Sequence, residues 1–367
     1  MKALVVGGTG PSGPHIVNGL IRRGYEVSVL HGGQHEAEFI QPVEHIHTDP
    51  HFQETLQPSL EGRSYDVAIA TYGRIRIVAE VLKGKASRFI AVGGSGVYAR
   101  RDDPRWGPMG PPMYVPEDSP RTEEPTTSRF SYLMWQTEET IMEAHRRGYY
   151  NASIFRYPML FGPNAPANPE WSVVRRVLDG RKRFIMPTNG IMRRRGYAEN
   201  AAHALLLGVD KPEITAGQTY NVRDDKQYTQ RQQVEFIAGY LHHEWEIVEL
   251  PPSLARKVSK GAAGAAGISN EFDITKIKAQ LGYRDVVPAW DALARSVDWL
   301  LANRPEPGGE NEVQLGDPFA YEDEDELLAA YRLGVAEPEK MEFPEIHSGH
   351  MYRHPKKPGE AWSPPPA

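Results

Sequence analysis

The chain has 367 residues, with 42 Lys and Arg against 48 Asp and Glu, a formal net charge of −6 and 40% hydrophobic residues. This composition is ordinary for a globular protein with one or two domains of roughly 100–200 residues. There is no cysteine, which excludes disulfides, cysteine nucleophiles and cysteine-ligated zinc or iron–sulfur clusters. No apolar run approaches the roughly 20 residues of a membrane helix, and the first residues do not resemble a signal peptide, so we expect a cytoplasmic protein.

Negative charge is concentrated towards the C-terminal end. Residues 305–367 hold 14 acidic and 5 basic residues, which leaves 34 acidic and 37 basic residues in 1–304. A body charge of +3 suits an anionic cofactor and is too small for a nucleic-acid binder. Ten prolines in 305–367 indicate an acidic, Pro-rich tail, with one helix predicted over 321–332.

Short apolar runs alternate with helical patterns along the first 160 residues. The alternation is typical of βαβ units and predicts an α/β fold: a doubly wound parallel sheet (Rossmann-like) with a smaller interleaved C-terminal α/β lobe. We expect a dinucleotide-binding domain over 1–161, a mostly substrate-binding lobe over 162–304 and the tail over 305–367. The predicted strands are 3–6, 26–30, 44–47, 66–70, 88–92, 153–155 and a late strand at 219–222; the predicted helices are 15–23, 74–82 and 131–147.

A glycine-rich turn follows the first predicted strand. It reads Gly8-Thr9-Gly10-Pro11-Ser12-Gly13, the pattern G-x-G-x-x-G, directly before a predicted helix. Glycines allow the backbone to approach a pyrophosphate, and the helix N-terminus offers free N–H groups and partial positive charge. The turn therefore predicts a dinucleotide site.

The end of the second strand bears on the choice of dinucleotide. NAD-binding folds usually place a carboxylate there to bind the ribose, and this chain has His31. Histidine does not repel a 2′-phosphate, yet no arginine stands beside it to bind one. The sequence leaves NAD and NADP open and favours NADP slightly.

Several motifs together resemble the extended short-chain dehydrogenase/reductases of the NAD-dependent epimerase/dehydratase type. The likeness covers residues 1–304. The family's spacing G-x-x-G-x-x-G is found at Gly7, Gly10 and Gly13, and its strand-and-turn R-Y-x-N-x-Y-G-P is similar to residues 156–163. The segments 220–222, 228–229, 272–276 and 281–283 follow in the family's order.

The resemblance implies a cofactor site and a catalytic set. In the family, Y-x-x-x-K on a helix supplies a proton-exchanging tyrosine and a ribose-binding lysine. Here Tyr132 is followed by Gln136 instead of lysine, and Ser95 stands one place after the family's usual hydroxyl position, which is Gly94. The residues expected to bind the cofactor are Gly7, Thr9, Gly10, Pro11, Ser12, Gly13, His31, Asp49, Tyr72 and Tyr157, with Asp49 at the adenine.

Two departures bear on the substrate. Met159 replaces the family's phosphate-binding asparagine, and the fourth strand ends in Tyr72, so a nucleotide sugar is not the expected ligand. Arg193, Arg194 and Arg195 either hold an anionic group or form a solvated turn.

Two function classes remain open. One is an NAD(P)-dependent oxidoreductase or epimerase/dehydratase acting on a hydroxyl or carbonyl carbon of a small molecule. The other is a dinucleotide-binding sensor or scaffold that lacks catalysis. The resemblance also implies a homodimer formed by the segments 74–83 and 131–147, with apolar contacts offered by Leu133, Met134, Ile141 and Met142.

Histidines suggest metal sites that we do not predict. His45 and His47 share one face of the third strand, with His51 nearby, but Asp49 already has a cofactor role there. His347, His350 and His354 lie in the tail without a fixed fourth ligand. We therefore expect no metal.

Overall fold

The structure is a computed structural model that describes residues 1–166, 168–188, 194–258, 271–336 and 340–342. The chain divides into two units, Met1–Phe319 and Ala320–Ala367. The strands are β1 Lys2–Val6, β2 Glu26–His31, β3 Glu44–His47, β4 Tyr65–Ala70, β5 Ala86–Gly94, β6 Tyr114–Val115, β7 Asn151–Tyr157, β8 Met159–Phe161, β9 Arg183–Pro187, β10 Arg195–Tyr197, β11 Gln218–Asn221, β12 Glu246–Leu250 and β13 Glu271–Phe272. The helices are α1 Gly13–Arg22, α2 Gln53–Ser59, α3 Ile75–Val81, α4 Arg129–Arg146, α5 Glu170–Leu178, α6 Ala198–Asp210, α7 Pro212–Thr215, α8 Gln230–Tyr240, α9 Pro252–Val258, α10 Thr275–Leu281, α11 Ala289–Ala302, α12 Glu310–Leu315 and α13 Tyr321–Val335.

A parallel sheet of seven strands organises the first unit. Its order is β11-β7-β5-β4-β1-β2-β3, and each neighbouring pair is parallel. The chain order reverses between β1 and β4, so the carboxyl ends of these strands flank the crevice where doubly wound sheets bind ligands. The predicted fold class is confirmed, including the late strand at the sheet edge.

The strands alternate between two hydrophobic cores. Ala3 and Val5 of β1 lie in the core that also contains residues of α1 and α6, whereas Leu4 and Val6 lie in the core formed with α2, α3 and α4. This is the period of two that a strand imposes, with helices covering both faces. Residues 3–6 of β1 and 67–70 of β4 are therefore buried, and these strands position the turn after β1.

A smaller lobe is interleaved with the last sheet strands. It contains the two-stranded pairs β8–β10, β9–β12 and β6–β13, with α5, α8 and α11 packed beside them. Buried ion pairs of α5 stabilise this lobe. The Glu170 carboxylate accepts hydrogen bonds from Nη1 and Nη2 of Arg195, and Arg176 donates to Asp317 at 2.6 Å. The first unit therefore continues past residue 304 to Phe319, while the boundary at 305 stays a prediction.

The second unit contains α13, Tyr321–Val335, which covers the helix predicted over 321–332. Three acidic residues stand in its first turn, where they complement the positive end of the helix dipole. Within the part of the chain that the structure describes, no helix combines the length and the apolar character that crossing a membrane requires.

Candidate cofactor and active site

The turn after β1 is held against the end of β4. Gly7 has φ +90°, a conformation that L side chains rarely adopt, and its N–H donates to the Leu30 carbonyl at 2.9 Å. A Cβ at Gly7 would lie 2.3 Å from Cβ of Tyr72. Glycine is therefore required at this point both by backbone conformation and by close packing.

The other two glycines of the motif differ in their surroundings. A Cβ at Gly13 would lie 2.2 Å from the Gly8 carbonyl oxygen, so Gly13 allows α1 to pack on the turn. Of the atoms in the described residues, a Cβ at Gly10 would meet only the Gly7 carbonyl oxygen, 4.0 Å away. Gly10 therefore faces space that the protein leaves open.

The residues around Gly10 fit a pyrophosphate. Thr9 and Pro11 are half-buried beside it, and Ser12 precedes α1 without capping the helix through its side chain. The first N–H groups of a helix need partners from outside it, and an anion can serve. The open face at Gly10 and the absence of a side-chain cap on α1 are consistent with pyrophosphate binding at this turn, which stays a prediction.

His31, predicted to contact the cofactor, is almost fully buried at the end of β2. It is 3% exposed, its Nδ1 accepts from the Gly33 N–H at 3.2 Å, and its Nε2 lies 2.9 Å from Nδ1 of His45. Burial lowers the pKa of His31, an effect that Glu36 opposes. A buried imidazole with these partners is a poor cationic clamp for a 2′-phosphate.

Asp49 and Tyr72 lie beside His51 at the same edge of the sheet. The Asp49 carboxylate accepts from the backbone N–H of His51 at 2.9 Å and from its ring at 2.6 Å, and these bonds hold the pKa of Asp49 below its usual range. The His51 ring meets the ring of Tyr72 edge-on at 5.2 Å. The predicted cofactor contacts of both residues remain predictions.

Tyr157, also predicted to bind the cofactor, lies in the core below the turn. Its hydroxyl donates to the Ala201 carbonyl at 2.9 Å, and burial raises its pKa. In this position it packs beneath the glycine-rich turn, and its direct contact with a cofactor stays a prediction.

A chain of three side chains stands where the family has tyrosine and lysine. Gln136 and Tyr132 are one turn apart on α4, and the Gln136 Nε2 group donates to the Tyr132 hydroxyl oxygen at 2.9 Å. Arg76 of α3 donates through Nη1 to Oε1 of Gln136 at 2.7 Å. The site therefore has a permanent positive charge, that of Arg76, hydrogen-bonded to the glutamine. Arg76 was not predicted from the sequence.

Ser95 lies in the short 3-10 turn Ser95–Val97 that follows β5 and packs against the start of α4. A Cβ at Gly94 would lie 2.9 Å from Cε of Met134, and one at Gly96 would lie 3.0 Å from Phe130. The two glycines thus let the turn approach the helix that carries Tyr132. Among the described residues, the Ser95 hydroxyl has no hydrogen-bond partner, so it is available to a ligand.

Buried polar contacts fix α4 to the sheet. Glu138 accepts from Nε of Arg156 at 2.8 Å and from its Nη2 at 2.7 Å. Arg156 also donates to the Tyr98 hydroxyl at 2.8 Å, which in turn donates to Asn221 at 2.6 Å. Burial raises the pKa of Tyr98 to about 12, so this tyrosine is not suited to proton exchange near neutral pH.

The expected substrate residues are divided among different surroundings. Arg195 is buried and paired with Glu170, so it stabilises the lobe and is not available to an anion. Arg194 lies over the Phe272 ring, 5.7 Å from its centroid, and Arg193 lies outside the described residues. Met159 is 64% exposed at the protein surface.

The family assignment follows from the sequence match together with this geometry. The model of the NAD dependent epimerase/dehydratase family matches residues 3–222, which include the glycine turn, Tyr132 and the sheet up to its last strand. The chain belongs to this family. The predicted family is thereby confirmed.

Sequence relatives add little beyond the family. A segment of 172 residues is 28% identical to the uncharacterized protein y4nL of Sinorhizobium fredii (strain NBRC 101917 / NGR234). The match spans 41% of this chain and about half, 47%, of that protein.

Solved structures support the fold. The UDP-glucose 4-epimerase of Thermotoga maritima, solved with UDP-glucose, has a TM-score of 0.65 and 18% identity, covering 83% of this chain and 100% of that one. The UDP-glucuronic acid 4-epimerase of Bacillus cereus, in complex with NAD, has a TM-score of 0.62 and 17% identity, covering 82% of this chain and 96% of that one. At these identities the likeness concerns the fold.

Proposed function

We propose that the protein is an NAD(H)-dependent oxidoreductase or epimerase/dehydratase acting on a hydroxyl or carbonyl carbon of a small molecule. The observation that carries this proposal is the hydrogen-bonded chain from Arg76 through Gln136 to Tyr132. Through this chain the charged guanidinium of Arg76 is connected to Tyr132 by way of Gln136, although the family's lysine is missing. A site that had lost its function would have no need of this replacement.

The directions of the hydrogen bonds define the role of Tyr132. Because Gln136 donates to the Tyr132 oxygen, the phenolic proton is free to be donated to a substrate oxygen. Arg76 bonds the amide oxygen of Gln136 and so polarises its N–H, which stabilises negative charge on Tyr132. Ser95 would donate to the same substrate oxygen. NAD(H), when bound, supplies the hydride acceptor or donor.

For the cofactor we propose NAD(H), held by the turn at Gly7, Gly10 and Gly13. The loop of residues 32–43 contains no Lys or Arg and two Glu, so it offers no Lys or Arg side chain to bind a 2′-phosphate. The burial of His31 points the same way. A structural relative in complex with NAD agrees with this choice over the slight preference for NADP that the sequence suggested.

For the substrate we propose a small alcohol or carbonyl compound that is not a nucleotide sugar. The support is Met159, an exposed apolar residue where the family binds phosphate through asparagine. The test is turnover of NAD(H) with a panel of ketones, lactones and nucleotide sugars. Turnover confined to nucleotide sugars would overturn the substrate class and leave the enzyme assignment intact.

The second candidate function is a dinucleotide sensor without catalysis, favoured by the neutral Gln136 at the lysine position. The two are separated by measuring binding and turnover on one preparation. Tight NAD(H) binding without turnover on any substrate of the panel favours the sensor. Turnover that is lost in Tyr132→Phe favours the enzyme.

We also propose a homodimer through α3 and α4. Leu133 and Phe130 are exposed on α4, whereas Ile141, one of the expected contacts, is 1% exposed within the core of the subunit and is not available. The interface would therefore use the first half of α4. A mass near 41 kDa by light scattering at micromolar concentration would contradict it.

A further inference from the structure

Three imidazoles and a carboxylate converge at the ends of β2 and β3. His31 belongs to β2, His45 and His47 to β3, and Glu36 to the loop between the two strands. One ligand atom from each of the four lies within 4.8 Å of every other. Local alternation along β3 brings together only His45 and His47, whereas His31 comes from a neighbouring strand and Glu36 from a loop.

Four separations among these atoms, two of them to Oε2 of Glu36 and one to its Oε1, lie around the edge length of a metal-centred tetrahedron, and the remaining pairs lie within 4.8 Å. Glu36 oxygens lie 3.3 Å from Nδ1 of His45, 3.4 Å from Nε2 of His47 and 3.8 Å from Nε2 of His31. The His31 Nε2 to His45 Nδ1 distance is 2.9 Å. Four ligands at Zn–N and Zn–O distances of about 2.0–2.1 Å stand about 3.3 Å apart, which is the middle of this range.

The surrounding structure holds the donors in place. β2 and β3 are paired in register, with His31 directly opposite His47, and alternation along β3 puts His45 and His47 on one face. The three rings lie with centroids 4.8–6.0 Å apart and are steeply inclined to one another. The rings therefore do not stack, and one nitrogen of each ring lies within 4.8 Å of the others.

We propose that His31, Glu36, His45 and His47 form a binding site for one Zn²⁺ ion. Neutral imidazoles and a carboxylate are ligands that zinc accepts, and four protein ligands leave no open position. The site is therefore structural: it fastens the loop of residues 32–43 to the ends of β2 and β3. This proposal does not depend on the proposed function.

Zinc ligation changes two hydrogen bonds. Binding through Nε2 of His31 removes its contact with His45 and moves the remaining ring proton to Nδ1, so the 3.2 Å bond from the Gly33 N–H is lost. Neighbouring Gly32 is exposed, and no atom of the described residues lies within 4 Å of where its Cβ would be, so this turn has space to adjust.

The test is metal binding by untagged, full-length protein that has been stripped with a chelator. Zn²⁺ affinity is measured by competition with a chromophoric chelator, and Co²⁺ serves as a spectroscopic probe of tetrahedral coordination. His47→Ala is the main variant, because the His47 side chain is 58% exposed and its removal leaves the core intact. His35→Ala is the matched control, a histidine of the same loop that lies outside the cluster. A variant in which Gln replaces His347, His350 and His354 controls for metal binding by the tail.

The proposal requires one Zn²⁺ per wild-type chain and a tetrahedral Co²⁺ spectrum. His47→Ala and His45→Ala should weaken Zn²⁺ binding by at least about 10–100-fold, the loss produced by removing even an outer-shell partner. His35→Ala and the tail variant should bind as the wild type does. Absence of Zn²⁺ binding, retention of full affinity in His47→Ala, or loss of binding in the tail variant alone would overturn it.

Discussion

Gln136 occupies the position where the family carries lysine, and its Nε2 donates to the Tyr132 hydroxyl oxygen at 2.9 Å. The amide itself is neutral, but its oxygen accepts from Arg76, 60 residues earlier in the chain. The positive charge has thus moved one residue further from the tyrosine and is transmitted through a polarised amide. An interaction through an intervening group is weaker than direct contact, so we expect slower proton exchange than a lysine would give.

The first prediction concerns Arg76. Arg76→Gln should lower turnover by about 10–100-fold with little change in NAD(H) affinity, because the guanidinium supports proton exchange by Tyr132 without reaching the phosphates. Steady-state kinetics and cofactor titration on one preparation measure both. Arg147→Gln, at the far end of α4, removes the same charge and should leave turnover unchanged.

A rescue experiment sharpens this prediction. Gln136→Lys restores the family residue and should recover turnover in the Arg76→Gln background, since the charge then lies beside Tyr132 again. Equal turnover of the wild type and Arg76→Gln would exclude Arg76 from the mechanism.

The second prediction concerns Gly10. Gly10→Val should abolish NAD(H) binding and preserve folding, because a side chain there enters open space that we assign to the pyrophosphate. Isothermal titration and thermal unfolding measure the two effects. Gly239→Val is the control, since a Cβ at Gly239 would meet no atom of the described residues within 4 Å and this glycine lies in α8, away from the turn. Micromolar NAD(H) binding by Gly10→Val would refute the assigned cradle.

The third prediction concerns the buried ion pair under α4. Glu138→Ala should destabilise the protein by about 3–5 kcal/mol, because it leaves Arg156 buried without its carboxylate. Neighbouring Glu139 pairs with Arg121 and is 39% exposed in its side chain, so Glu139→Ala should cost less than about 1 kcal/mol. Urea unfolding of the two variants compares them directly, and similar losses would contradict the structural role of Glu138.

The sequence predicted those features that depend on neighbouring residues. The strands around Ala3 and His45 follow from local alternation, and the glycine turn follows from spacing alone. The contact of Arg76 with Gln136 depends on how α3 packs against α4, which no local pattern encodes. Glu36 likewise reaches the histidines only through the path of its loop. For Arg76, the signal in the sequence was the pair of basic residues, Arg74 and Arg76, at the start of α3.

The fourth prediction concerns pH and Asp224. This carboxylate accepts from the Tyr197 N–H at 3.0 Å, and burial, with a smaller contribution from Asp285, raises its pKa from 3.8 to about 7. The folded protein then holds a proton between about pH 4 and 7 that the unfolded chain releases. The free energy of unfolding should therefore fall as pH rises through this window, by up to about 4 kcal/mol.

Asp224→Asn tests this dependence, because asparagine keeps an acceptor for the Tyr197 N–H and does not titrate. Unfolding free energies at several pH values between 4 and 8 should decline less steeply in the variant than in the wild type. Identical slopes would mean that Asp224 does not hold the proton.

Proton exchange by Tyr132 is tested by comparing NAD(H) turnover of the wild type and Tyr132→Phe. Oxidation or reduction of the nicotinamide is followed by absorbance across ketones, lactones and nucleotide sugars, with cofactor affinity measured on the same samples. We expect turnover by the wild type with at least one substrate and its loss by about 10²–10⁴-fold in Tyr132→Phe, with NAD(H) affinity unchanged. Equal turnover in both proteins would contradict it.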